Sequence, residues 1–140
     1  MILARKNETA SKHAANKGFY LNFRRFSAMK EENIKTVAAF LNALKQKDLS
    51  LAPLADDIDF EDPISGKNTG AENFRAFLSG FLPAIGDIRI HSHVCEDDFV
   101  VTHWEVDGVF GIIPILEKFR VRDGKITEAF GFFDPRPILG

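Results

Sequence analysis

Five carboxylates fall within the eight residues 56–63, DDIDFEDP. Such a density suits a divalent-cation loop, a solvated acidic face, or a single carboxylate set apart for proton transfer. A helix–loop–helix calcium site needs glycine at its sixth position and glutamate at its twelfth. Counted from Asp57, those positions hold Asp62 and Asn68, so the spacing excludes it. Alternation then separates the acids: Ile58, Phe60 and Asp62 share one face of a strand, and Asp57, Asp59 and Glu61 share the other. The apolar pair must face inward, which carries Asp62 into the interior. Burial disfavours a charged carboxylate and raises its pKa, a condition that suits a general base. Asp62 is the candidate base, and the other four acids read as a solvated face.

His91, His93 and His103 form a second constellation. Strand parity puts His91 and His93 on one face, and a turn near residues 96–98 brings His103 opposite His91. Three imidazoles can hold zinc or iron. Arg89 shares their face, however, while Ile88, Ile90 and Val94 take the other. The cluster therefore reads as an outer face or subunit contact, and no metal ligand is assigned. Along 99–110, His103, Glu105 and Asp107 oppose Thr102, Trp104 and Val106. Burial favours Trp104 inward, although a one-residue slip exchanges the faces. His103 and Asp107 stay as second-rank polar candidates. Phe130, Phe132 and Asp134 share a face of the last strand, which places both Phe against core or pocket. No phosphate loop and no Ser or Cys nucleophile motif is present.

Helices and strands must position these groups. Ile34, Val37, Ala38, Leu41 and Leu44 predict a helix over 30–46, and a short helix is expected over 51–55. The segment Thr69-x-x-Glu72 reads as a capping box opening a third helix, with Phe74, Phe77, Leu78, Phe81 and Leu82 as its stripe. Strands follow near 87–95, 99–110, 112–122 and 125–133, with an Asp123-Gly124 hairpin turn. Helices ahead of a run of antiparallel strands indicate an α+β layer fold.

The 140 residues suit one domain. Fourteen Phe against one Tyr and one Trp point to a thick apolar core or a greasy pocket. The lone Cys95 excludes an intramolecular disulfide and fits a reducing compartment. Residues 1–28 carry six Lys or Arg and one Glu, whereas 29–140 carry twelve basic and nineteen acidic side chains. An acidic body argues against nucleic acid, and no apolar run reaches membrane-spanning length. The leader reads in three ways: a transit peptide, with RRFSA (24–28) as processing site; sequence upstream of a start at Met29; or a disordered tail.

The element order, with LADDIDFEDPISG…TGAENFRAFL and FRVRDGKITEAFGFFDP, resembles the nuclear-transport-factor-2-like superfamily and its SnoaL-like branch over roughly residues 30–135. The resemblance implies a cone-shaped α+β barrel in which a bent sheet wraps a long helix. It also implies an apolar pocket at the wide end and, often, dimers through the outer sheet face. Members include ketosteroid isomerases, epoxide hydrolases, polyketide cyclases and non-catalytic modules, so the fold alone does not choose a function. Glu61-Asp62-Pro63 matches the isomerase motif whose Asp shuttles a proton beside a carbonyl. The isomerases' first-helix Tyr falls at Phe40, and their late-strand protonated Asp falls among Ile113, Pro114 and Ile115. Against the Asp-Arg-Asp arrangement of limonene-epoxide hydrolases, Asp107 fits the first Asp, while Glu105 and Gly131 stand at the other two places.

The expectation is a leader (1–28) and one domain (29–140), built as a cone-shaped barrel with three helices in its N-terminal half on a curved antiparallel sheet. It is expected to be a homodimer that binds a small apolar or aromatic molecule without nucleic acid, membrane, metal or cofactor. Asp62 would serve an isomerase, cyclase or hydrolase step within walls of Phe60, Trp104, Phe119, Phe130 and Phe132. The alternatives are a non-catalytic binding or dimerisation module and, third, a three-His metal enzyme. A cytoplasmic location is expected, or a mitochondrial one if the organism is eukaryotic and the leader is a transit peptide.

Overall fold

The computed structural model describes residues 2–140, with side chains at Leu21 and from Arg24 onward, residue 26 excepted. The three readings of the leader stay untested: its backbone from residue 2 lies within α1, and most of its side chains are outside the described ones. The predicted first helix lies within α1 (Ile2–Lys45), and its stripe is the core: Val37, Phe40, Leu41 and Leu44 are buried. No described helix is long and apolar enough to cross a membrane.

The expected helix over 51–55 is absent. A single 3₁₀ turn (Leu49–Leu51) stands before it, capped by Asp48, which accepts the Ser50 N–H at 3.1 Å. From Leu54 the chain is already strand β1 (Leu54–Asp62), because Leu54 pairs with Ile126 across the sheet. A hairpin to β2 (Gly66–Thr69) follows, and its four exposed residues carry no apolar signal. The predicted capping box does not form: Thr69 ends β2 and donates to Asp59 at 2.7 Å, leaving Gly70 as the N-cap of α2 (Ala71–Ser79).

Strands β3 (Ile85–Glu96), β4 (Phe99–Gly108), β5 (Gly111–Arg122) and β6 (Lys125–Phe132) form a meander, followed by α3 (Arg136–Leu139). Asp123 (φ 52°) and Gly124 (φ 72°) make the predicted β5–β6 turn. The open six-stranded sheet has the order β2-β1-β6-β5-β4-β3. Its one departure from an antiparallel arrangement is the parallel pairing of β1 with β6, which brings the strand ending at Asp62 beside the last strand. Three helices pack on this curved sheet, as the α+β cone requires. Phe40 bridges helix and sheet: its ring stacks with Phe74 at 5.7 Å and meets the edge of Phe119 at 5.7 Å. Phe60 stacks on Phe74 at 4.5 Å.

Two one-residue bulges reverse parity that simple alternation assigns wrongly. On β3, Ile90 pairs with Trp104 but Ser92 pairs with His103, so His91 is the inserted residue. Beyond it the inward side chains are His93 and Cys95, and Val94 lies outside at 67 % exposure. On β6, Ile126 pairs with Val121 but Glu128 pairs with Arg120, so Thr127 is inserted. The inward residues thereafter are Ala129 and Gly131, and Phe132 is turned outward at 63 % exposure.

Candidate functional site

The sheet's curvature and the three helices enclose a cavity of about 120 Å³. An apolar cavity of about 150 Å³ admits a benzene ring, which sets the scale. Its walls are apolar: Phe40 and Leu44 of α1, Phe74, Phe77 and Leu78 of α2, Ile138 of α3, and Trp104, Val106, Ile113 and Ile115 of the sheet. Phe110 and Gly111 of the β4–β5 turn, both exposed, form part of the rim. Among these lining residues only Asp62 and Glu117 are ionisable.

Asp62 sits where alternation puts it, at the inward end of β1 and half-buried. Its Oδ1 accepts the backbone N–H groups of Ile64 and Ser65, each at 2.7 Å, so the carboxylate is built into the turn that follows Pro63. One oxygen is thereby engaged twice, and the other has no partner among the hydrogen bonds of the turn.

Glu117 is the group the sequence reading missed. It is 8 % exposed on β5, and burial pushes its carboxyl up to about 8, with the neighbouring Asp62 carboxylate adding to the rise. At neutral pH it therefore carries a proton. A buried acid thus stands on this late strand, two positions beyond Ile115. Alternation carried the signal: Ile113, Ile115, Glu117, Phe119 and Val121 all point inward, and one acid stands in that row.

Pairing explains how the two acids meet. Glu117 is opposite Gly131, and Glu61 is opposite Phe130, so Asp62, Gly131 and Glu117 lie in one row across β1, β6 and β5. Glycine in the middle leaves a gap. A methyl placed on Gly131 would lie 3.6 Å from the Asp62 Cβ and 3.8 Å from Glu117 Oε2, so both acids border the same small space.

Trp104 faces inward and lines the cavity, as burial predicted. Phe60 and Phe119 are buried in the aromatic core behind the lining, so they support the wall without forming it. Phe130 and Phe132 are corrected: the bulge at Thr127 takes them off the cavity face, and Phe133 lines it instead. His103 and Asp107 are on the outer face. Asp107 pairs with Arg89 at 3.1 Å, and the His103 ring lies 4.7 Å from that of His91. His91 in turn meets Glu105 at 2.6 Å. His93 is on the opposite face, bonded to Thr102 at 2.8 Å, with burial lowering its pKa. The three histidines thus do not converge, because the bulge at His91 separates them. Among the described residues no group of three or more His, Cys, Asp or Glu is arranged to hold a metal ion.

A curved open sheet around a long helix, with an apolar cavity between them, defines the nuclear-transport-factor-2-like class. Within it, the chain belongs to the SnoaL-like domain family, whose profile matches residues 37–129. A sequence search of curated proteins finds no match. Among solved structures, a protein from Kribbella flavida DSM 17836 is 26% identical at a TM-score of 0.70, covering 75% of this chain and 88% of that one. An LEH-like epoxide hydrolase from M. tuberculosis is 26% identical at 0.65, covering 79% and 88%. A proposed SnoaL-like polyketide cyclase from Jannaschia sp. CCS1 is 15% identical at 0.69, covering 79% and 91%, a likeness of fold.

Proposed function

We propose that the cavity binds a small apolar or aromatic molecule bearing a carbonyl oxygen and catalyses cofactor-free proton transfer on it. The observation that carries this reading is a pair of acids bordering one space: Asp62, half-buried and held in its turn by two backbone N–H groups, and Glu117, whose carboxyl burial pushes up to about 8. A buried carboxyl that keeps its proton at neutral pH can donate a hydrogen bond, which leaves the other acid for the base role. Asp62 would take the proton from the carbon next to the carbonyl, leaving the electron pair delocalised onto oxygen as an enolate. The Glu117 O–H would donate a hydrogen bond to that oxygen, stabilising charge that develops only in the transition state. Return of the proton from Asp62 to a different carbon would complete an isomerisation. Phe40 supplies no hydroxyl at the first-helix position, so Glu117 would be the principal donor. Epoxide opening, suggested by the M. tuberculosis relative, would use the same pair: Asp62 would take a proton from a water that bonds to the epoxide carbon, and Glu117 would protonate the oxygen released as the C–O bond breaks.

A screen of aromatic ketones, steroids and terpenoid epoxides by thermal shift, followed by turnover of the hits, tests this reading. A ligand held at a hundred times its Kd raises native stability by about 2.7 kcal/mol, which the shift reads directly. Asp62→Asn is expected to bind hits but not turn them over, and Glu117→Gln to lose about 10²–10³ in rate. Unchanged turnover in Asp62→Asn would overturn the mechanism. Binding with no turnover in any protein would leave the non-catalytic module.

The same reading includes a homodimer. Ile112, Leu116 and Phe132 are exposed on the outer sheet face, where Leu116 and Phe132 are cross-strand partners. A contiguous apolar surface of this kind favours burial against a second copy. Sedimentation at micromolar concentration would decide the state.

A further inference from the structure

Among the described residues, the buried Trp104 indole N–H finds no partner in hydrogen-bond geometry. Indole nitrogen is a donor only, and a buried donor left unpaired is costly, so an acceptor belongs beside it. Pairing places one there. Trp104 is opposite Ile115 and Thr102 is opposite Glu117, which makes Trp104 and Glu117 diagonal neighbours on the inner face of β4 and β5. Diagonal positions are about 7–8 Å apart at the backbone, within reach of two long side chains. Both residues line the cavity. The indole is also the hydrogen-bonding group that acts against the rise in the Glu117 pKa. The two facts fit an N–H directed at the carboxyl from just outside bonding geometry, closing on a small side-chain rotation.

A protonated carboxyl has one oxygen that only accepts and one that carries the hydrogen. We propose that Trp104 is a positioning residue for Glu117: its N–H engages the accepting oxygen and thereby turns the Glu117 O–H into the cavity. The proposal deepens the proton-transfer reading, since it fixes the direction in which the donor acts. It also names the ligand class, neutral molecules whose acceptor oxygen (ketone, lactone or quinone) reaches the cavity floor. Groups able to perturb the pair are few. Asp62 faces Glu117 from β1, and Thr102, its cross-strand neighbour, carries His93. The lining residues contributed by α1, α2 and α3 are apolar.

Trp104 is the chain's one tryptophan, so a ¹H–¹⁵N spectrum holds a single indole resonance. In the full chain that resonance is expected to shift between pH 6 and 10 with a midpoint near 8, the Glu117 value, and to stay flat in Glu117→Gln. A flat native resonance overturns the proposal. So does a shift that survives in Glu117→Gln, which would trace to His93 through Thr102. In Trp104→Phe, ¹³C-carboxyl titration of Glu117 is expected to give a midpoint above that of the native protein, because an N–H bond favours the charged form. A lower or unchanged midpoint, as looser packing alone would give, overturns it. Neither readout depends on turnover, so the pairing and the proton-transfer reading can fail separately.

Discussion

Replacing Glu117 by glutamine keeps the shape of the side chain and removes its ionisable proton, which isolates the cost of holding this acid in an apolar wall. The carboxyl moves from 4.5 in the unfolded chain to about 8 in the native state. Between those values the native protein keeps a proton that the unfolded chain has released, so native stability falls as pH rises. Each pKa unit is about 1.4 kcal/mol. The cost is absent below pH 4.5, amounts to about 3 kcal/mol by pH 7, and levels off near 5 kcal/mol above pH 8. Glu117→Gln carries no such cost, while every other titrating group is shared by the two proteins and cancels in their difference. Urea denaturation of both proteins at pH 5, 7 and 9 should therefore show the variant gaining on the native protein by roughly 3–5 kcal/mol across the range. A difference that stays constant within about 0.5 kcal/mol would refute the assignment of Glu117 as a buried acid titrating in the native state.

Three further outcomes follow from particular positions. If the outer sheet face pairs two copies as proposed, Phe132→Glu should leave a monomer in sedimentation while ligand affinity of the cavity stays within about twofold, since Phe132 lies on the opposite face. Gly131→Ala meets only ordinary contacts, so stability should change by less than about 1 kcal/mol, but the methyl occupies the space between the acids and should cut turnover by about tenfold or more. Gly108→Ala should cost about 2 kcal/mol or more by denaturation, because its Cβ would collide with the Ala84 carbonyl oxygen and backbone must shift.

Much of this architecture could be read from local patterns. The α1 stripe, the alternation that turns Asp62 inward, the Asp123-Gly124 turn and the inward face of Trp104 each follow from period and burial. What escaped was set by pairing. Bulges at His91 and Thr127 insert one residue without any side-chain signature, yet each reverses everything beyond it, separating His93 from His91 and turning Phe132 outward. Strand β2 was invisible because it presents four exposed residues to one partner strand. The capping box failed for a competing bond, Thr69 to Asp59. Glu117 is different, because its inward parity on β5 was legible from the row Ile113, Ile115, Glu117, Phe119, Val121. The family resemblance points to residues 113–115, two positions short of the one acid in this apolar alternation.

The central claim is that Asp62 moves a proton on a ligand whose oxygen is held by Glu117. Its most direct measurement is the exchange of hydrogen for solvent deuterium at the carbon next to the carbonyl of a bound ketone, followed by mass spectrometry. The native protein should promote exchange, Glu117→Gln should slow it by about 10²–10³, and Asp62→Asn should abolish it while still binding the ketone. Exchange that proceeds equally in Asp62→Asn, or that is absent for every ketone the native cavity binds, would contradict the account.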